Sequence, residues 1–166
     1  MGLKKSSGQI IISGSVTESA LNTFTESEFD LTLDILNNEV FVVERVDLRN
    51  STPDQQGGVN STTDCMISKT SQTGMLSIGS DSVISADGVT IQDTGVTATL
   101  RMMEPSEQIA GTQQYLNILA TNNFFVSVEG GNCIAVKTAQ FKLWGYRAKA
   151  DSATYAALVQ SELLSS

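Results

Sequence analysis

The chain has 166 residues, a mass of 17.7 kDa and a formal net charge of −8, and it contains no histidine. Histidine titrates nearest neutrality and is the usual general base and the commonest metal ligand. Its absence excludes Ser–His–Asp and Cys–His catalysis and most zinc chemistry, so an enzyme is the least expected class and no cofactor is expected. The length suits a single domain of about 100–200 residues.

The charges are unevenly sorted. Residues 1–17 carry Lys4 and Lys5 without an acid, and residues 130–150 carry Lys137, Lys142, Arg147 and Lys149, again without an acid. Residues 18–129 hold 16 acids against Arg45, Arg49, Lys69 and Arg101. A duplex-binding protein needs a dense basic footprint, so nucleic-acid contact is expected to be weak or absent. No apolar stretch approaches the ~20 residues of a membrane-spanning helix. The apolar run Ile10 to Ile12 near the start is also shorter than the about 7–15 residues of a signal peptide.

In chain order, residues 1–8 read as a flexible basic arm. Residues 9–16 are β-branched and read as a strand at a sheet edge. Residues 28–36 alternate strictly, with Phe29, Leu31, Leu33 and Ile35 on one face and Glu28, Asp30, Thr32 and Asp34 on the other. That period of two predicts a half-buried strand with an acidic outer row. Asn37-Asn38 reads as a turn into a second strand, residues 39–49, with Val40, Val42, Val46 and Leu48 on one face and Glu44 interrupting it. Together the two strands predict a β-hairpin.

Residues 50–58 form a loop broken by Pro53-Asp54 and Gly57-Gly58. Residues 63–70 and 75–78 are weaker strands. Val83-Ile84 and residues 89–91 flank Ala86-Asp87-Gly88, read as a tight turn, and residues 96–103 are a further strand stopped by Glu104-Pro105. Residues 105–120 admit a short helix through Ile109, Leu116 and Leu119. A strand follows with Phe124, Val126 and Val128 on one face, then a turn at Gly130-Gly131-Asn132 and a long last strand, residues 134–148. Asp151-Ser152 caps a predicted helix over residues 153–164, with Tyr155, Leu158, Val159 and Leu163 on one face. About three turns of helix are marginal alone, so this one must dock on its own sandwich or on a neighbour.

These elements predict an all-β chain, an antiparallel β-sandwich of single jelly-roll type with a short C-terminal helix. The sandwich spans residues 9–150, the arm 1–8, and the helix and tail 151–166.

Little chemistry is legible. Asp30 and Asp34 would stand roughly 13 Å apart on a strand, beyond the about 5–9.5 Å of paired glycosidase carboxylates. Asp81, Asp87 and Asp93 recur every six residues but read as solvated turn residues rather than a calcium site. Cys65 and Cys133 are read as buried thiols in preference to a disulfide, because free cysteine is among the most buried residue types. One constellation suggests a surface. With Ala139, Phe141 and Leu143 inward, Trp144 and Tyr146 stand outside beside Lys142 and Arg147, a grouping typical of interface hot spots. The candidate assembly interface is therefore Lys142, Trp144, Tyr146 and Arg147 with Tyr155 and Leu158 of the helix. Lys4 and Lys5 mark the arm.

The short basic arm, the run of strands with polar loops and the long final strand resemble the single jelly-roll capsid (coat) proteins of icosahedral viruses. The tail YRAKADSATYAALVQSELL is similar in style to the ends of small capsid proteins of prokaryotic viruses. The resemblance implies an eight-stranded sandwich whose copies tile a shell, with arms or terminal helices tying neighbours together. It implies other copies of the chain and a second capsid protein as partners, contact with an inner-membrane surface beneath a shell, and residence in a virion made in the host cytoplasm. A lectin-like or adhesin-like binding sandwich fits the fold equally well, and a phage decoration or tail-accessory protein is a variant of the coat reading.

Overall fold

The computed structural model describes residues 2–103, 106–108 and 113–165. Its strands are β1 (Lys4–Lys5), β2 (Ile10–Thr17), β3 (Thr25–Asp30), β4 (Glu39–Asn50), β5 (Ser61–Ser68), β6 (Val83–Asp93), β7 (Ala98–Met103), β8 (Ser106–Gln108), β9 (Asn117–Leu119), β10 (Asn123–Gly131) and β11 (Thr138–Lys149), followed by helix α1 (Ser152–Leu164). Four antiparallel pairs nest: β2 with β11, β3 with β10, β4 with β9, and β5 with β6. Such a ribbon rolled over itself gives two facing sheets, β2-β11-β4-β9 and β3-β10-β5-β6. That is jelly-roll connectivity, so the expected all-β antiparallel sandwich with a short C-terminal helix is what the chain forms. β1 and β8 extend the first sheet and β7 extends the second.

The core lies between the sheets. Phe41, Val43, Val46 and Leu48 of β4 and Ala139, Phe141 and Leu143 of β11 face Cys65 and Ile67 of β5 and Phe124, Val126 and Val128 of β10. At its centre Phe29, Phe124 and Phe141 form an aromatic trio with ring centroids 4.8–5.6 Å apart.

A bulge decides which face each half of β4 presents. Arg45 pairs with Trp144 and Val43 with Gly145, so Glu44 is an extra residue and the side-chain parity inverts there. Gly145 permits the close approach, since a Cβ on it would collide with the Val42 carbonyl and the Phe41 ring. Val46 and Leu48 therefore point inward together with Phe41 and Val43. Val40 and Val42 point outward into a second cluster with Ile118, Ala120, Ala148 and Ala150. This corrects the expected single row of Val40, Val42, Val46 and Leu48.

Helix α1 covers the second cluster with Tyr155, Leu158 and Val159. The Asp151 carboxylate caps it by accepting from the Thr154 N–H at 2.8 Å. At the other end Glu162, only 2% exposed, accepts from the N–H groups of Ala120 (2.7 Å) and Thr121 (3.0 Å). Of the two docking places open to the helix, it takes its own sandwich. Glu162→Ala strands two N–H groups and is expected to cost about 2–3 kcal/mol, measured by urea unfolding. An unchanged midpoint would mean the clamp contributes nothing.

Several expected elements are corrected. Residues 28–36 are not one strand: β3 ends at Asp30, Thr32 adopts φ 51°, and Ile35–Asn37 form a 3-10 turn. Leu31 and Leu33 are buried as expected, but Ile35 is 51% exposed. β3 and β4 belong to different sheets, so the predicted hairpin is instead a crossing between layers. Asn38, at φ 53°, still makes the turn into β4. Ala86-Asp87-Gly88 is not a turn but the middle of β6, where Gly88 lies against the Asp64 carboxylate of β5. Residues 75–78 are outside any strand, and the last strand begins at Thr138. Within 105–120 the described residues include two strands, β8 and β9; residues 105 and 109–112 of the expected helix lie outside the described residues.

The arm is also placed differently. Lys4 pairs with Lys149 and Lys5 with Ala148, Ser6 N–H donates to the Arg147 carbonyl at 2.8 Å, and Leu3 packs into the outer cluster. Residues 2–7 thus lie along β11 of their own chain because Leu3 has an apolar seat there, whereas residues 1–8 were read as a flexible arm. The Ser6 amide is therefore expected to be protected from hydrogen exchange at concentrations where the chain is monomeric. Exchange at the open-chain rate would detach the arm from the sheet.

Candidate assembly surface

Among the described residues no group of three or more Cys, Asp or Glu side chains could hold a metal ion. Asp93 instead braces a loop, accepting from the N–H groups of Gly95 (2.7 Å) and Gly58 (3.2 Å), which hold its carboxyl below the usual range. Asp30 accepts from the Thr32 N–H at 2.7 Å. Cys65 and Cys133 are buried and unbridged. Burial, then the carboxylates of Asp87 and Asp64, push the Cys65 thiol far above its ordinary value, which makes it a packing residue and not a nucleophile.

The outer face of the first sheet is organised in three cross-strand rows. Ile11, Trp144 and Arg45 form one, Ser13, Lys142 and Asp47 the next, and Ser15, Gln140 and Arg49 the third. The Arg45 guanidinium sits 4.7 Å from the Trp144 ring centroid, a cation–π contact. Arg49 pairs with Asp47 at 3.3 Å, an exposed contact of little stabilising value. Helix α1 covers the other end of this face, so these rows remain open to solvent.

The predicted interface residues divide between two environments. Lys142 and Trp144 stand outward as expected. Tyr146 borders the helix-covered cluster with Lys5 4.2 Å above its ring, and Tyr155 and Leu158 pack inward on the chain's own sheet. Arg147 has inward parity and is committed to the layer crossing, donating to the Leu31 carbonyl (3.0 Å) and the Thr32 hydroxyl (2.7 Å). It does not stand beside Lys142. Lys4 and Lys5 form β1. Arg45, Arg49 and Ile11 were missed. The inward parity of Val46 and Leu48 shows that Arg45 and Arg49 point outward, but not which strand they sit beside.

The outer face of the second sheet has the opposite character. Glu26, Glu28 and Asp30 of β3, Glu129 of β10 and Asp64 of β5 share it with Arg101 of β7. Residues 71–76 lie across its middle, with Ser71 and the Gln72 N–H donating to Glu26 and the Leu76 N–H to Met66 Sδ. Glu129 and Asp64 are direct cross-strand neighbours, and burial followed by the charge of Glu129 raises the Asp64 carboxyl.

No family model and no curated protein matches the chain. Among solved structures it is similar to a chain of Desmodium yellow mottle tymovirus, with 8% identity and a TM-score of 0.28, over 87% of this chain and 91% of that one. A likeness at that level carries no argument about fold or function.

Proposed function

We propose that the protein is a non-catalytic structural subunit of a viral capsid or coat, assembling with copies of itself through the surfaces of its sandwich and resident in the virion. The observation that supports this reading is the sorting of charge between the two broad sides of a jelly-roll body: basic with a half-buried Trp144 under Arg45 on one, acidic on the other. Fold alone does not assign function, but opposed charge on two sides of one chain suits repeated contact between copies. A second coat protein is a further partner. Three cations on the basic face are too few for genome packaging, where affinity grows with the number of phosphates neutralised, so nucleic-acid contact stays weak or absent. No helix among the described residues is long and apolar enough to cross a membrane.

Native mass spectrometry and electron imaging of the purified chain over a range of concentration and salt test the reading. Discrete oligomers or shells are expected. A chain that stays monomeric throughout would overturn it.

A further inference from the structure

We propose that the basic outer face of the first sheet in one copy docks on the acidic outer face of the second sheet in the next copy, so that subunits join head to tail through their broad sides. This rests on the coat-subunit reading and names the surfaces that reading uses.

The basic face carries Arg45, Arg49 and Lys142 against the carboxylates of Asp47 and of Glu44 at the bulge, which accepts from the Gln9 side chain, in a chain of net charge −8. Trp144 is partly exposed beneath Arg45, and Ile11 is 58% exposed in the same row. Trp and Arg at the centre of a surface are the residue types that dominate binding energy, and an exposed Ile beside them gains by being covered.

The acidic face carries Glu28, Asp30, Asp64 and Glu129 against Arg101, with Glu26 at its middle already bonded by Ser71 and Gln72 of the same chain. Like charges directly opposite one another across a strand pair destabilise a sheet, which is the arrangement of Glu129 and Asp64. The ion pairs among the described residues are Arg49–Asp47 and Lys137–Asp54, so the chain supplies these two carboxylates with no cation of its own there. A basic side chain brought from outside relieves that repulsion.

Charge complementarity selects the occupant. The chain that carries one face carries the other. On the second sheet residues 71–76 cross the middle, where Ser71 and Gln72 donate to Glu26 and the Leu76 N–H to Met66 Sδ, so the arriving face meets the carboxylates that flank this strap. A two-fold contact would set basic face on basic face or acidic on acidic. The complementary contact is therefore heterologous, which generates rings where the rotation closes and extended arrays where it does not.

Two exposed-face variants test it. Arg45→Glu with Lys142→Glu makes both broad faces acidic, and Glu28→Lys with Asp64→Asn and Glu129→Lys makes both basic. Association is followed by light scattering and sedimentation at low salt, and thermal melts verify that each variant is folded. Should either set unfold, the milder pair Lys142→Gln and Glu129→Gln replaces it. Each variant alone is expected to associate at least tenfold more weakly than the parent, the two mixed in equal amounts are expected to associate again, and the parent's association is expected to weaken as salt shortens the screening length. With the milder pair, each variant alone is expected to weaken association and the mixture carries no restoration test. A parent that assembles while both variants assemble unchanged, or charge-reversed variants that fail to recover on mixing, would overturn the face pairing and leave the coat reading standing. A parent that never assembles would remove both.

Discussion

Leu33→Asp is expected to lower stability by about 3–5 kcal/mol, the sum of a lost core side chain and an unpaired carboxylate taken out of water. Ile35→Asp, two residues on, is expected to stay within about 0.5 kcal/mol of the parent, as exposed substitutions do. Both residues belong to the same apolar row of the sequence. Leu33 is 7% exposed and packed in the inter-sheet core, whereas Ile35 is 51% exposed in the 3-10 turn. Urea unfolding of the two variants separates the register of a continuous strand from that of a strand ending at Asp30. Equal losses at both positions would restore the continuous strand, and a stable Leu33→Asp would empty the core assignment.

That pair of positions shows what the sequence made legible. Period-two alternation reports burial, and it reported Leu31 and Leu33 correctly even though their backbone is no longer a strand. The chain leaves the second sheet at Asp30, turns at Thr32 and crosses to the first sheet while keeping its apolar side chains under the crossing. Alternation cannot report pairing, so a layer crossing and a hairpin look alike. The same limit hid the bulge at Glu44, whose only local sign was an acid breaking an apolar row. It also made Ala86-Asp87-Gly88 resemble a turn, although the small residue at 88 serves the approach of Asp64.

The nested pairs that make the jelly roll join residues as distant as Ile10 and Gly145, and nothing local encodes them. The surface followed suit. Lys142 and Trp144 were readable from parity within one strand, while Arg45 joined them only through the β4–β11 register. Arg147 was misassigned because its inward parity at the sheet end carries it to the layer crossing. The acidic row of Glu28 and Asp30 was legible because it needs nothing beyond its own strand.

Lys137→Ala is expected to cost about 3 kcal/mol, the low end for breaking a buried ion pair by removing one partner. The Lys137 ammonium, 5% exposed, lies 2.8 Å from the Asp54 carboxylate and donates to the Thr52 carbonyl at 3.1 Å. Asp54 in turn accepts from the N–H groups of Ile134 and Ala135, at 2.9 and 3.0 Å. Glu18, itself buried, accepts from the N–H groups of Gly130 and Lys137, both at 2.7 Å, and of Thr23 at 2.9 Å. Three connections at one end of the sandwich are thus tied through two carboxylates and one ammonium. The low end of the range applies because Asp54 retains 25% side-chain exposure and can rehydrate.

Lys137→Met keeps the packing, and Lys137→Met with Asp54→Asn removes both charges, so the double variant is expected to recover part of the loss. The same pair sets a pH response. The Lys137 hydrogen bond, with the two backbone donors, holds the Asp54 carboxyl below its ordinary value. A carboxyl depressed in the folded state binds fewer protons there than in the unfolded chain, whose value is about 3.9. Its contribution is therefore complete above that value and is lost as pH falls through the folded one. Acid titration of stability should be shallower below pH 4 in Lys137→Met than in the parent. An identical acid limb, together with a strictly additive double variant, would reduce the pair to a surface contact and leave Glu18 alone holding that end of the sandwich.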